Sequence, residues 1–323
     1  MAYEIVDFKG ISFRCVVPYV FQYKTWCKMR WRDRPLLDVF TKEFKAYTEE
    51  YYRHAIEKGL ILVNNQQVEK NYIVRNGDLL VHKVTRCEPP VLNTPVLISY
   101  DLPNILVVAK PGSMPVHPTG AYNKNSLLSI LKYEFGYEDL KLIHRLDRLT
   151  SGLLILAKNS LVANSLTQLM KNNQTEKWYV ARVAGNFKWE TIEVDMGISA
   201  VCRKEGIYTT DEQGKPSRTV FYKKFFDQST QQSVVYCRPI TGRTHQIRLH
   251  LRYLGHPIAN DICYGGDALD PIEAPETFKI ISEGFRLPLE KTKQREIWLH
   301  AFRYKLTTNL DFKVPLPEWA KLT

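Results

Sequence analysis

The sequence predicts an α+β chain in two folded parts, and three observations carry that expectation. Segments with apolar residues at helical spacing, such as Leu36, Leu37, Val39, Phe40 and Phe44, are interspersed with apolar runs of strand length, such as Ile105–Ala109 and Leu153–Ala157. Glu88-Pro-Pro90 interrupts the pattern, because consecutive prolines join neither a helix nor a central ladder. The 323 residues leave room for two domains of ~150 residues each. With 44% hydrophobic and 24% charged residues, the composition is that of a chain that buries a core.

Taken in order, the first stretch is Phe21 to Arg34, which interleaves Lys24, Lys28, Arg30, Arg32 and Arg34 with Tyr23, Trp26 and Trp31. This is the mixture that phosphate attraction plus base stacking would use, so residues 1–34 are expected to form a basic, aromatic arm. From Pro35 the spacing predicts a short helix, and Thr48-Glu-Glu opens a second that ends at Gly59. Leu60–Val63, Val68–Val74 and Leu79–Val84 then read as strands joined by tight turns at Asn64-Asn65 and Arg75-Asn-Gly-Asp78. A domain is therefore expected over 35–88, with the boundary at the double proline and a second domain over 89–323.

In that second domain, strands are expected at Asn104–Lys110, Leu153–Lys158, Trp178–Ala184 and Trp298–Thr307, with Thr219–Phe226 and Ser233–Pro239 as an antiparallel pair. Helices are expected at Leu127–Phe135 behind Asn125-Ser126, from the cap Asn159 to Lys171, and at Thr244–Leu254. No fixed-period repeat, low-complexity tract or glycine-rich phosphate loop interrupts them.

Composition excludes several classes. The apolar runs fall far short of the ~18 residues of a membrane-spanning helix. The opening residues carry two acids and one lysine before any apolar stretch, unlike a secretory or transit peptide, so an intracellular chain is expected, cytoplasmic with nucleus and mitochondrion left open. Six scattered cysteines without a C-x-x-C suggest neither a zinc site nor a disulfide framework. The 45 basic against 34 acidic residues leave +11, spread over both parts, which favours a polyanionic partner.

One stretch is dense in chemistry: His144-Arg-Leu-Asp-Arg-Leu-Thr-Ser-Gly-Leu-Leu-Ile-Leu-Ala-Lys158. A polar, charged segment runs straight into an apolar strand, so Asp147 sits where a loop enters a sheet, fixed yet accessible. If His144 to Asp147 is extended, period-2 alternation sends Arg145 and Asp147 to one side and His144 and Leu146 to the other.

That string resembles the signature of the RluA-type pseudouridine synthases, which isomerise uridine in RNA. Further matches follow in the expected order: Ala109 to Pro118, Glu176 to Gly185, Gly242-Arg-Thr-His-Gln-Ile-Arg-Leu-His-Leu251 and Leu299-His-Ala301. They span roughly residues 104–304. "VPYVFQYKTWCKMRW", "EPPV", "GKPSRTVF" and "YLGHPIANDICYG" resemble the eukaryotic branch that includes tRNA pseudouridine-32 synthases. The helix-helix-strand-turn-strand order of 35–88, with "GLILVNNQQV" and "NGDLL", resembles the alpha-L RNA-binding motif shared with a small-subunit ribosomal protein. The resemblance implies a small RNA-binding domain followed by a mixed, mainly antiparallel β-sheet catalytic domain flanked by helices.

It also implies roles. Asp147 corresponds to the catalytic aspartate that takes part in breaking the N1–C1′ bond before the base rotates and re-bonds through C5. Arg248 matches the arginine that pairs with this aspartate, and Tyr179 the tyrosine that stacks on the uracil and assists proton removal at C5. Arg145 matches the residue that enters the gap left by the flipped-out nucleotide, a flip needed because a stacked base hides its C1′–N1 bond. Lys110, His117, Arg243, Thr244, His245 and Gln246 are expected to position phosphate and ribose or to support the pocket. The expected partner is RNA, most simply tRNA, with no metal, cofactor or membrane. Two other readings compete: an RNA-binding or chaperone protein with absent or incidental catalysis, and a hydrolase, for which Asp261 in "ANDICYG" is the only second acid in a motif.

Overall fold

A computed structural model describes residues 2–8, 10–171, 175–202, 206–267 and 295–321. The chain divides into two compact units, Val17–Cys87 and the remainder, Met1–Val16 with Glu88–Thr323. The expected arm over 1–34 is therefore not one element. Strands β1 (Tyr3–Phe8) and β2 (Ile11–Val16) form an antiparallel hairpin in the register Tyr3↔Val16. The alternation that the charged composition masked is visible here: Phe13 and Cys15 are buried and pack with Val6, Ile11 and Leu92.

In the Val17–Cys87 unit, β3 (Tyr19–Trp26) is followed by α1 (Leu36–Val39), α2 (Glu49–Glu57), β4 (Ile61–Val63) and β5 (Leu79–Arg86). Helix α1 runs into a wide turn over Phe40–Phe44 that stops at Lys45 in the left-handed region. Thr48 caps α2, its hydroxyl accepting from Tyr51 N at 3.3 Å, with Glu49 and Glu50 in the first turn where the dipole favours acids. The sheet has the order β3-β5-β4, antiparallel throughout. Leu36, Phe40, Tyr52, Ile56 and Leu80 form the core together with Trp31, which is 2% exposed. Trp31 is thus a packing residue, whereas Trp26 is 65% exposed beside exposed Tyr23, Lys24 and Lys28.

The expected strand at Val68–Val74 does not form. Its backbone bonds go to the chain entering α1, from Leu36 N to Tyr72 O, Val74 N to Arg34 O and Asp33 N to Val74 O. Buried Asp78 fixes this arrangement by accepting from Asn64 Nδ2, Tyr72 OH and Arg75 N.

The larger unit continues with β6 (Val91–Leu92), which adds to β2 through Phe13↔Leu92, then β7 (Leu97–Asp101), β8 (Ile105–Lys110), α3 (Leu127–Phe135) and β9 (Lys141–Leu142). Next come β10 (Ser151–Ala157), α4 (Ser160–Lys171), β11 (Glu176–Ala184), β12 (Thr191–Asp195), β13 (Ile198–Cys202) and β14 (Ile207–Thr210). The last are β15 (Arg218–Asp227), β16 (Gln232–Pro239), α5 (Gln246–Tyr253), β17 (Leu299–Thr307) and β18 (Leu310–Lys313).

One sheet of order β12-β15-β16-β11-β17-β10-β8-β7 organises this unit, with β18 on β17 and β9 on β10. Among the described pairs only β10–β17 is parallel, so the sheet is mixed and mainly antiparallel. Leu127, Ile130 and Leu131 of α3 and Leu166 of α4 pack with the wholly buried Leu153–Ala157 and with Leu106–Val108. Ile247 and Leu251 of α5 pack with Ala181, Val183, Val235 and Phe221. A parallel neighbour and helices over its faces explain why β10 reads as an unbroken apolar run. At its start Gly152 adopts φ +111°, and a Cβ there would lie 2.2 Å from Ala301 O of β17. Among the described residues no helix is long and apolar enough to cross a membrane.

Candidate active site

The loop that feeds β10 is anchored at His144 and at Arg148. His144 Nε2 accepts the Ile155 amide at 3.0 Å. Burial, helped by Lys177, pushes this imidazole down to about 3, so it stays neutral. Leu146 is buried in the core, Arg145 projects into solvent, and Asp147 is partly exposed. Thr150 N closes a turn onto Asp147 O at 3.2 Å, so the carboxylate is presented immediately before the sheet begins.

Asp147 looks into a cavity of about 560 Å³ whose walls include Tyr179 of β11, Tyr304 of β17 and His245 and Arg248 at α5. That volume suits one small ligand. Tyr179 OH and Tyr304 OH share a short hydrogen bond. Burial pushes the Tyr179 phenol up to about 12, the Tyr304 bond offsetting part of the rise, so it remains protonated.

His245 stands at the N-terminus of α5 with φ +58°, a left-handed conformation uncommon for a non-glycine residue. That kink is why the helix begins at Gln246 instead of Thr244. It also turns the imidazole toward Asp147, Nε2 to Oδ2 3.7 Å, while Nδ1 meets Tyr264 OH at 2.7 Å. Burial lowers the His245 pKa, although the Asp147 charge works against it.

Arg248 does not take Asp147 as its ion-pair partner. Its Nε and Nη2 donate to the two oxygens of Asp261 at 2.5 and 2.8 Å, a two-pronged pair with Arg248 4% and Asp261 0% exposed. Its guanidinium also lies over the Tyr264 ring, 4.6 Å from the centroid. The planar fork of arginine matches a carboxylate in two places, and the nearer, fully buried Asp261 satisfies it. Burial is the strongest single influence on the Arg248 pKa and lowers it, but the Asp261 hydrogen bond, the Asp261 charge and the Asp147 charge together leave it raised. Arg248 thus reaches Asp147 through its field, not through contact.

The remaining expected residues separate. Arg243 and Thr244 are exposed on the cavity rim. Gln246 is buried and builds the rim: its Oε1 accepts from Thr241 Oγ1 and Arg243 N, and its Nε2 donates to Arg218 O and Thr219 Oγ1. Lys110 is not in the cavity. Its Nζ donates to Pro111 O, Met114 O and Arg148 O, stitching the loop after β8 to the residue following Asp147. His117 lies in a separate, smaller cavity. Among the described residues, no group of three or more His, Cys, Asp or Glu is placed to hold a metal ion.

Sequence reasoning assigned no role to Tyr304, Lys177 or Tyr208, all of which line the main cavity. Lys177 stands in the Glu176–Gly185 match, so a signal was present for it. Tyr304 lies just past Leu299-His-Ala301, and only its pairing with Tyr179 across β11 and β17 distinguishes it from a core tyrosine.

Residues 104–253 match the family described as RNA pseudouridylate synthase. The chain is 42% identical over 264 residues to the mitochondrial tRNA pseudouridine(32) synthase of Saccharomyces cerevisiae, covering 79% of this chain and 55% of that protein. It therefore spans about half the length of that relative. RNA pseudouridine synthase 7 of Oryza sativa subsp. japonica is 40% identical, over 96% of this chain and 90% of the relative. The solved structure of human RNA pseudouridylate synthase domain containing 1 superposes with a TM-score of 0.52 at 25% identity, over 69% of this chain and 84% of that one. With most of its length aligned to such relatives, the chain belongs to the RNA pseudouridylate synthase family.

Proposed function

We propose that this protein isomerises uridine to pseudouridine in folded RNA, with tRNA as the substrate class and position 32 as the first site to test. One observation carries the reading: Asp147, Tyr179 and Arg248 come from three separate stretches of sequence and line one cavity. The tRNA assignment draws on the yeast relative's name.

In this reading the target nucleotide leaves its stack and enters the cavity, and Arg145, exposed at the mouth, takes its place, a planar guanidinium recovering part of the lost stacking. The Asp147 carboxylate then acts as a nucleophile or stabilises an oxocarbenium-like ribose while the C1′–N1 bond breaks. The base turns and C1′ bonds to C5, any bond formed by Asp147 breaking in that step so that the carboxylate is released; the C5 proton then leaves to solvent and N1 takes one up. The formula of uridine is unchanged. Tyr179, held as a phenol, supports stacking on the uracil. Arg248, pinned by Asp261, lines the same cavity and adds a fixed guanidinium to the field inside it. The Val17–Cys87 unit, with exposed Tyr23, Lys24, Trp26 and Lys28, would grip the RNA backbone and an unpaired base. A hydrolase would need a second available carboxylate, and Asp261 is already committed to Arg248.

The test is tritium release from RNA labelled at C5 of uridine. The wild type should release tritium from tRNA, whereas Asp147→Asn should release none and keep RNA affinity within a few-fold. Appreciable release by Asp147→Asn would overturn the assignment.

A further inference from the structure

On the other side of the His144–Arg148 loop lies a second cavity of about 260 Å³. Its walls include the rings of Pro89, Pro115 and Tyr122, and its polar margin includes His117, Arg145 and Arg148. Arg145 lines both cavities. The Arg148 guanidinium lies over the Tyr122 ring, 5.7 Å from its centroid, and reaches Ser113 O at 3.4 Å, so that wall is already built. His117 Nδ1 is buried with no hydrogen-bond partner among the described residues. Leaving a buried ring nitrogen unmatched is costly, so a small turn of the His117 ring that brings it to a polar ligand atom in the cavity it lines would be favoured.

The chemistry narrows the occupant. Flat apolar walls suit a planar ring, two guanidinium groups suit something attached to phosphates, and the imidazole nitrogen asks for a hydrogen-bonding edge. A phosphate alone would leave the proline and tyrosine faces unused, and an aliphatic side chain would leave His117 unmatched. A nucleobase meets all three requirements, and the volume takes one. Arg145 and Asp147 are two residues apart, at most about 7 Å along the chain at 3.3 Å per residue, the scale of a single nucleotide step. Burial, with Arg145 nearby, lowers the His117 pKa, so a neutral imidazole can serve as donor or acceptor toward that base.

We propose that this second cavity receives the base of a nucleotide adjacent to the extruded uridine, so that the Arg145 loop parts two neighbouring bases into two separate pockets. The proposal rests on the uridine-isomerising reading and adds a determinant of site choice to it.

The experiment is a binding cycle on an anticodon-arm RNA with uridine at position 32, using Asp147→Asn protein so that no turnover occurs. The RNA is compared intact, abasic at the preceding nucleotide and abasic at the following one. The protein is compared with and without Ala121→Trp, a change at an exposed residue of the cavity rim that fills it with a ring. Thr119→Trp, on the same rim, is the second variant, and melting curves establish which is folded.

The expected result is a loss of about tenfold when one of the flanking bases is removed, a similar loss on filling the cavity, and no further loss from both together. With Asp147 restored, Ala121→Trp should raise KM on intact RNA by a similar factor and leave kcat at saturating RNA within twofold. If neither abasic RNA binds more than twofold more weakly, or if the two losses multiply, the cavity holds no flanking base and the proposal falls. Failure of the underlying reading is seen separately, as absence of tritium release by the wild type on intact RNA.

Discussion

Arg248 and Asp261 form a two-pronged ion pair inside the protein, and that pairing changes what a substitution at Arg248 would mean. Removing one member strands a buried charge and costs about 3–5 kcal/mol, whereas replacing both by apolar residues of similar size is often neutral. Arg248→Met should therefore unfold at clearly lower urea, and Arg248→Met with Asp261→Leu should recover much of that loss. The double variant should still fail to form pseudouridine, because the field at Asp147 is gone. A double variant with wild-type tritium release would reduce Arg248 to a packing residue. The pairing also shows where sequence reading stops. Asp147, Tyr179 and Arg248 each lie within a contiguous motif, and the fold brings them to one cavity, but Arg248's partner depends on how α5 packs on the turn at Ile262–Tyr264. Lys110 and His117 lay in a matching string too, yet Lys110, at the end of β8, directs its ammonium to backbone carbonyls, and the loop after β8 takes His117 to a separate cavity, neither of which residue spacing specifies.

Among the elements, those with strong periodicity or unbroken apolar runs were legible: α2, α3, α4, β8, β10 and β11 sit within a few residues of where the pattern put them. Strands β1 to β3 were not, because charge and aromatic content in the first 34 residues outweighed a short alternation, and because β2 and β3 complete their sheets with β6 and β5, distant in sequence. Strand β3 gives the sharper test of RNA binding. Arg30 is paired with Glu43, and Arg32 donates to Asn76, whereas Lys24 and Lys28 are exposed. Changing Lys24 and Lys28 together to Glu should leave the melting temperature unchanged, weaken tRNA binding and flatten its log–log salt dependence by about 0.7–0.9 for each phosphate that is no longer neutralised. An unaltered salt slope would remove β3 from the RNA interface. Where β10 meets β17, Gly152→Ala should cost at least ~2 kcal/mol in urea melts, since its φ is strained for any side chain and the new methyl would strike the Ala301 backbone. Pseudouridine formation should fall with it, because the same displacement moves the loop that holds Asp147.

For the whole molecule, buried neutral histidines set the response to acid. Burial holds His144 at about 3, and His82 and His300 at about 4, all below the usual 6.5. Between pH 6.5 and about 4 the unfolded chain binds protons that the folded chain refuses, so stability falls as pH falls, by up to about 1.4 kcal/mol per pH unit for each of the three. Urea midpoints measured at pH 7 and pH 5 should differ accordingly, and coincident midpoints would mean that these rings take up protons without unfolding. The division of the chain has a consequence in time. Strand β2 is made before Val17–Cys87, and its neighbour β6 after it. At about 5–20 residues per second, the ribosome needs on the order of 4–15 s to traverse that stretch. Until then the β1–β2 hairpin lacks its third strand, and two-stranded hairpins are marginal in water. The smaller unit can complete its own core during that interval, so synthesis finishes the inserted piece first and closes the sheet around its two ends afterwards.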